Sequence, residues 1–202
     1  FILPIQGFDD EKFVLFATNT GTVKRSRLSE FASAVRLQQG VRATILDEGE
    51  HLIGVSLTSG EDDVFLFNTD GFCARFKETD VRIMGRGAHG VRGIRLAEGQ
   101  SVIALATCAD SDKFVLTATS KGFGKLTAIS DFPIRRRGGK GRIAIRTSEE
   151  NGSLVAALIV TPEDDIMLLS TGGKVVRTRA GEIPVRGRIT KGVILIRMGE
   201  DT

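Results

Sequence analysis

Residues 135–141 read RRRGGKG, so that Arg135, Arg136, Arg137 and Lys140 stand among Gly138, Gly139 and Gly141. Glycines let a backbone approach a bound group closely and turn its N–H donors toward it, and guanidinium forks match the oxygens of a phosphate in pairs. The pattern therefore suits phosphate recognition. It lacks the GK[ST] of a nucleotide P-loop and follows no strand–helix signal, so a free nucleotide is not the expected ligand. Covalent chemistry has few carriers elsewhere: the 202 residues include no Tyr and no Trp, and His51 and His89 stand in unrelated contexts. Cys73 and Cys108 are too far apart for a CxxC pair. They read as small buried hydrophobes in a reducing compartment, with no metal site and no catalytic set expected.

What must position the loop is an internal repeat. The turns Thr20-Gly21, Asp70-Gly71, Lys121-Gly122 and Gly172-Gly173 recur at steps of 50, 51 and 51 residues, and Gly40, Gly90, Gly141 and Gly192 follow, each 19 residues after its turn glycine. An acid column at Glu30, Asp80, Asp131 and Glu182 keeps the same frame, each followed by an apolar residue (Phe31, Val81, Phe132, Ile183). One structural position occurring four times reads as a turn or Arg-pairing element rather than a catalytic set. In each copy an apolar run precedes the turn glycine and a basic segment follows it, which predicts a β-hairpin. A β-branched run after the second glycine, clearest at 193–196, and a third apolar run, as at 52–55 and 102–105, bring the count to about four short strands per unit. Helix-period stripes are missing. The expectation is an all-β, propeller-type array of four-stranded antiparallel blades of about 50 residues. Residues 1–11 read as the closing strand of an earlier unit.

The charge follows the repeat. The four 19-residue segments after the turn glycines hold 19 of the 28 Lys/Arg and 5 of the 25 Asp/Glu, a net +14, while the rest of the chain carries −11. The formal total of +3 hides two opposed populations. Equivalent positions of an array fall on equivalent faces, so the cations are expected to form one stripe, matched to the charged backbone of nucleic acid. Without Trp or Tyr to stack on bases, duplex DNA held by its phosphates is the expected partner. The predicted contacts are Lys24, Arg25, Arg27, Arg75, Lys77, Lys125, Arg177 and Arg179 from the hairpin strands. From the loops come Arg36, Arg86, residues 135–141 as named above, Arg186, Arg188 and Lys191.

RRRGGKG, the 50-residue β repeat and the strings LTSGEDDVFLF, GVRGIRL and GVILIR together resemble the C-terminal domain of the bacterial DNA gyrase A subunit over essentially the whole chain. The resemblance implies a β-pinwheel, a propeller-like fold whose neighbouring blades exchange a strand and whose basic rim wraps duplex DNA. The family's box, Q-R-R-G-G-K-G, is matched at six of seven positions, with Arg135 in place of Gln. The family carries that box in its first blade, whereas here the match falls in the third of four repeats. Residues 1–202 are accordingly expected to form one partial β-pinwheel domain that lacks the family's first two blades.

By the same resemblance the parent is a type IIA topoisomerase that depends on ATP and Mg, and that joins the rest of gyrase A to gyrase B in an A2B2 assembly. The parent's cleavage uses a catalytic Tyr, so this stretch is expected to be non-catalytic by itself, without cofactor, cytoplasmic and nucleoid-associated, with no membrane partner. A C-terminal domain of topoisomerase IV, which bends DNA without strong wrapping, is the nearest alternative. A protein-binding scaffold that docks partners on the acidic loops 61–63 and 163–165 is the reading from another class.

Overall fold

The computed structural model describes residues 2–33 and 40–199. Its strands are β1 (Phe13–Thr18), β2 (Thr22–Arg27), β3 (Leu52–Thr58), β4 (Asp63–Asn68), β5 (Phe72–Lys77), β6 (Val91–Arg92) and β7 (Val102–Cys108). There follow β8 (Phe114–Thr119), β9 (Phe123–Ala128), β10 (Arg142–Ile143), β11 (Leu154–Val160), β12 (Asp165–Leu169), β13 (Val175–Arg179) and β14 (Val193–Ile194). Each turn glycine joins the two strands of an antiparallel hairpin, and a short 3-10 turn follows every hairpin: Leu28–Phe31, Glu78–Asp80, Ile129–Asp131 and Ala180–Glu182. The acid column Glu30, Asp80, Asp131 and Glu182 lies in these turns.

Blades and repeats are out of step. The first blade has the order β3-β1-β2-β6, the second β7-β4-β5-β10 and the third β11-β8-β9-β14; the fourth is the hairpin β12-β13. In each complete blade three strands come from one repeat and the fourth, only two residues long, is delivered by the next. The fold is an all-β array of four blades whose neighbours exchange a strand, three of them four-stranded. Residues 2–12 form no strand, contrary to the sequence expectation. The first blade takes its outer strands from β3 and β6.

The second glycines of the second, third and fourth repeats make the exchange possible. Gly90, Gly141 and Gly192 have φ of 119°, 80° and 80°, and a Cβ there would stand 2.7, 2.7 and 2.5 Å from the carbonyl oxygens of Val23, Cys73 and Gly124 respectively. Only glycine allows both the left-handed turn and the close approach to the accepting strand.

Apolar layers lie between blades. Leu15, Val23 and Ile94 meet Val64, Leu66 and Phe76; Phe65, Phe67 and Cys73 meet Val115, Ile129 and Phe132; Leu116 and Leu126 meet Ile166, Ala180 and Ile183. Phe132 sets its edge toward Phe65 with ring centroids 6.2 Å apart. β1 and β4 are buried along their whole length, which is why FVLFAT is almost continuously apolar rather than alternating. Each such side chain contributes roughly 1.5–3 kcal/mol by burial. Both cysteines are buried and unpaired. In the fourth blade Met167 is 63% exposed, whereas its equivalents Leu15, Phe65 and Leu116 are at most 3% exposed. No helix among the described residues is long and apolar enough to cross a membrane.

Candidate nucleic-acid interface

Three of the cations expected on the surface, Lys24, Arg25 and Lys125, are buried, and a fourth, Arg75, is half-buried. Lys24 is 1% exposed and Lys125 0%; the Lys125 ammonium is turned onto the loop delivered by the following repeat, and that of Lys24 onto such a loop and onto Ala43 of its own repeat. Lys24 Nζ donates to the carbonyls of Ala43 (2.7 Å) and Arg86 (2.8 Å), and Lys125 Nζ to those of Gly187 (2.6 Å) and Arg188 (2.7 Å) and to the Thr190 hydroxyl (3.2 Å). Burial pulls the Lys125 pKa down to about 8, with Arg188 adding to the effect and Asp131 opposing it. Burial also lowers Lys24, against the pull of Glu30 and with a push from Arg86.

Arg25 is buried beside Glu78 and lies over the Phe13 ring, 4.3 Å from its centroid. The Arg75 Nε donates to Asp63 (2.9 Å), and its Nη1 to the carbonyls of Ile129 and Phe132 in the next repeat's turn (2.7 and 2.8 Å). The strand-borne cations Lys24, Arg25, Arg75 and Lys125 are thus corrected from surface contacts to inter-blade clamps. The physical reason is that β2 and β9 have one side against a neighbouring blade and the other against the delivered loop, while on β5 the Arg75 guanidinium is taken up by Asp63 and by the turn of the next repeat.

The remaining hairpin cations are exposed, and most are paired. Register places Lys77 opposite Asp63 and Arg179 opposite Asp165; Lys77 bridges Asp63 at 2.7 Å and Arg177 bridges Asp165. Arg27 donates to the Asp10 carbonyl. Arg36 lies outside the described residues.

The loops behave differently. Residues 135–141 run along β5, starting where the Arg135 N–H donates to the Arg75 carbonyl (2.9 Å), and they touch the segment behind β6: Gly138 N–H donates to the Gly93 carbonyl (2.6 Å) and Arg95 N–H to that of Gly139 (2.9 Å). Arg137 is half-buried and gives its guanidinium to the carbonyls of Asp80 and Arg92, both at 2.9 Å. Arg188 holds the Ile143 carbonyl in the same way, while Arg146 N–H donates to Thr190. Arg86 is half-buried, its backbone N–H on Glu30. Lys191 pairs with Glu150 at 2.6 Å.

The cations that stay exposed, with no side-chain partner among the described residues, include Arg135, Arg136, Lys140 and Arg186, joined by Arg92, Arg95, Arg142 and Arg146 on the delivered strands and just behind them. The backbone bonds just described set Arg92 and Arg95 beside the loop 135–141, and Arg146 beside the loop 186–192. A cationic patch therefore marks each of these blade junctions. Arg95 and Arg146 were outside the sequence expectation because they lie beyond the second glycine. Their signal was a fixed Ile-Arg pair at Ile94-Arg95, Ile145-Arg146 and Ile196-Arg197, the Ile buried and the Arg outward. Among the described residues no group of three or more His, Cys, Asp and Glu is arranged to hold a metal ion.

Blades that trade a strand with their neighbours and carry cationic loops at the junctions define a β-pinwheel with a basic edge. The model of the DNA gyrase C-terminal domain, beta-propeller, matches residues 12–59, 62–109, 113–161 and 164–201. The chain belongs to that family. It is 47% identical over 201 residues to the DNA gyrase A protein of Escherichia coli (strain K12), covering 99% of this chain and 22% of that protein. With the DNA gyrase A protein of Staphylococcus aureus (strain MRSA252) the identity is 39% over 193 residues, 95% of this chain and 22% of that one. Among solved structures, the C-terminal domain of DNA topoisomerase IV superposes with a TM-score of 0.89 at 25% identity, over 96% of this chain and 60% of that one. A DNA gyrase A C-terminal domain gives 0.85 at 24% identity, over 97% and 65%. The chain spans about a fifth of the length of the curated relatives it matches.

Proposed function

We propose that this chain is a duplex-DNA-binding and DNA-wrapping module of a bacterial gyrase A protein. The observation that carries the reading is the set of unpaired, exposed cations at successive blade junctions, Arg92, Arg95, Arg135, Arg136, Lys140 and Arg142 at one and Arg146 and Arg186 at the next. Their neutralisation of phosphates releases counterions, and the contact reads charge and shape rather than base sequence. Bending a site of 20–30 base pairs through 40–90° costs on the order of 1–6 kcal/mol, which several such contacts offset.

In this reading the bent duplex is handed to the cleavage core of the whole enzyme, an A2B2 assembly with gyrase B in the bacterial cytoplasm at the nucleoid, for ATP-dependent negative supercoiling. The identity to gyrase A chains supports gyrase over topoisomerase IV as the parent. A mobility-shift series with duplexes of rising length tests the module itself. Wrapping predicts affinity that climbs with length until the cationic edge is covered; affinity independent of length, or insensitive to salt, overturns it.

A further inference from the structure

The three delivered loops are anchored in two different ways. In the first and third blades the anchor is the ammonium of Lys24 or Lys125. The second blade has Ala74 at that position. There the Gly93 carbonyl, equivalent to the Ala43 carbonyl held by Lys24, is taken instead by the Gly138 N–H at 2.6 Å. Gly138 reaches it with φ of 82°, a left-handed conformation that Gly87, at the same place in the preceding loop, does not adopt. A flipped glycine peptide thus replaces a buried charge.

The replacement has a second effect. The other two loops close on themselves, with Ala88 N–H donating to Gly85 and Thr190 N–H to Gly187 (3.2 and 3.3 Å), whereas the equivalent bond from Gly139 to Arg136 is not formed. The Gly139 N–H has no acceptor among the described residues. Where a lysine chain runs in the sister blades, a cavity of about 270 Å³ is open beside Ala74, lined also by Arg135, Arg136, Gly139, Lys140 and Arg142 and by no carboxylate. That is room for a phosphate group with several waters. Its walls supply guanidinium forks, an ammonium and free backbone N–H groups, the donor set that tetrahedral oxyanions take.

We propose that this cavity is a phosphate-binding site, created by the pairing of Ala74 with Gly138 and absent from the blades that carry lysine. It rests on the duplex reading only for the source of the phosphate, a DNA phosphodiester or a free phosphate ion. The test follows backbone amide resonances of this chain during separate titrations with inorganic phosphate and with a short duplex. Phosphate is expected to shift Gly139, Lys140 and Gly141 while leaving residues 186–192 in place. Ala74→Met, which fills the space without adding charge, and Arg136→Ala/Lys140→Ala, which removes exposed donors, should each weaken that response at least about tenfold, or about 1.4 kcal/mol.

Unmoved amides in the native chain, or a phosphate response that survives both substitutions, overturn the site. The unchanged resonances of residues 186–192 report that each variant is folded. Competition between phosphate and duplex for the same amides identifies the phosphodiester as the occupant. If phosphate binds without competing, the site stands with a free ion, and the duplex reading of this loop falls.

Discussion

Glu78 is fully buried with its Oε2 3.5 Å from Nη1 of Arg25, across the boundary between the first and second blades. The same carboxylate accepts hydrogen bonds from the Thr58 hydroxyl (2.7 Å) and from the N–H groups of Gly60 and Asp62 (both 2.8 Å). One acid thus joins the second strand of one blade, its third strand and the loop into the next.

Removing one member of a buried ion pair leaves an uncompensated charge, so Glu78→Ala should lower stability by about 3–5 kcal/mol. The double variant Arg25→Met/Glu78→Leu should recover most of the loss. Urea unfolding monitored by circular dichroism measures both; a Glu78→Ala midpoint equal to the parent's would show that the pair contributes nothing.

Buried and exposed cations should separate in a salt titration of duplex binding. Arg135→Ala/Arg136→Ala/Lys140→Ala is expected to reduce the slope of log K against log salt by about 2.7, at about 0.9 per phosphate contact. Lys125→Met should leave the slope unchanged, because that ammonium faces carbonyls rather than DNA. Equal slopes for the two variants would return the strand cations to the interface.

Lys125 makes stability depend on pH in a defined direction. Its ordinary value is 10.5 and its folded value about 8, so between these the unfolded chain binds more protons and stability rises with pH. Below about pH 8 the full cost of burying the ammonium is present. Relative to Lys125→Met, the parent should gain on the order of 1–3 kcal/mol between pH 8 and pH 10.5, read from denaturant midpoints across that window. A flat difference would mean that the ammonium keeps its proton.

Two glycines of one loop should respond differently to alanine. Gly141 has φ of 80° and its Cβ would meet the Cys73 carbonyl oxygen at 2.7 Å, so Gly141→Ala should cost about 2–4 kcal/mol and release β10 from β5. Gly139 has open space around it, and Gly139→Ala should stay within about 1 kcal/mol. Thermal melting together with hydrogen exchange of the Cys73 amide distinguishes the two.

The hairpins were legible because turn glycines and apolar runs are local signals: Val64, Phe65, Leu66 and Phe67 before Gly71 announce β4 without any tertiary knowledge. The exchange was not legible from periodicity. β6, β10 and β14 are two residues each, and nothing within Val91-Arg92 says that its partner lies a repeat earlier; only the family resemblance anticipated it. The misplacement of Lys24 and Lys125 has the same root. Alternation along TVKRSR implies an outward face, yet the delivered loop covers that face, and carbonyls replace water around the ammonium. Arg135, Arg136 and Lys140 remained outside because they belong to the covering loop and have nothing above them.

Strand exchange also orders the birth of the molecule. While the chain leaves the ribosome, the hairpin of β1 and β2 must wait, edge unfilled, until Val91 and Arg92 emerge, and the same delay recurs at the second and third blades. Each new repeat acts as the latch of the one before it, so a nascent array always exposes one unfinished edge, and a pause in translation within residues 78–90 would prolong that exposure more than a pause after β6.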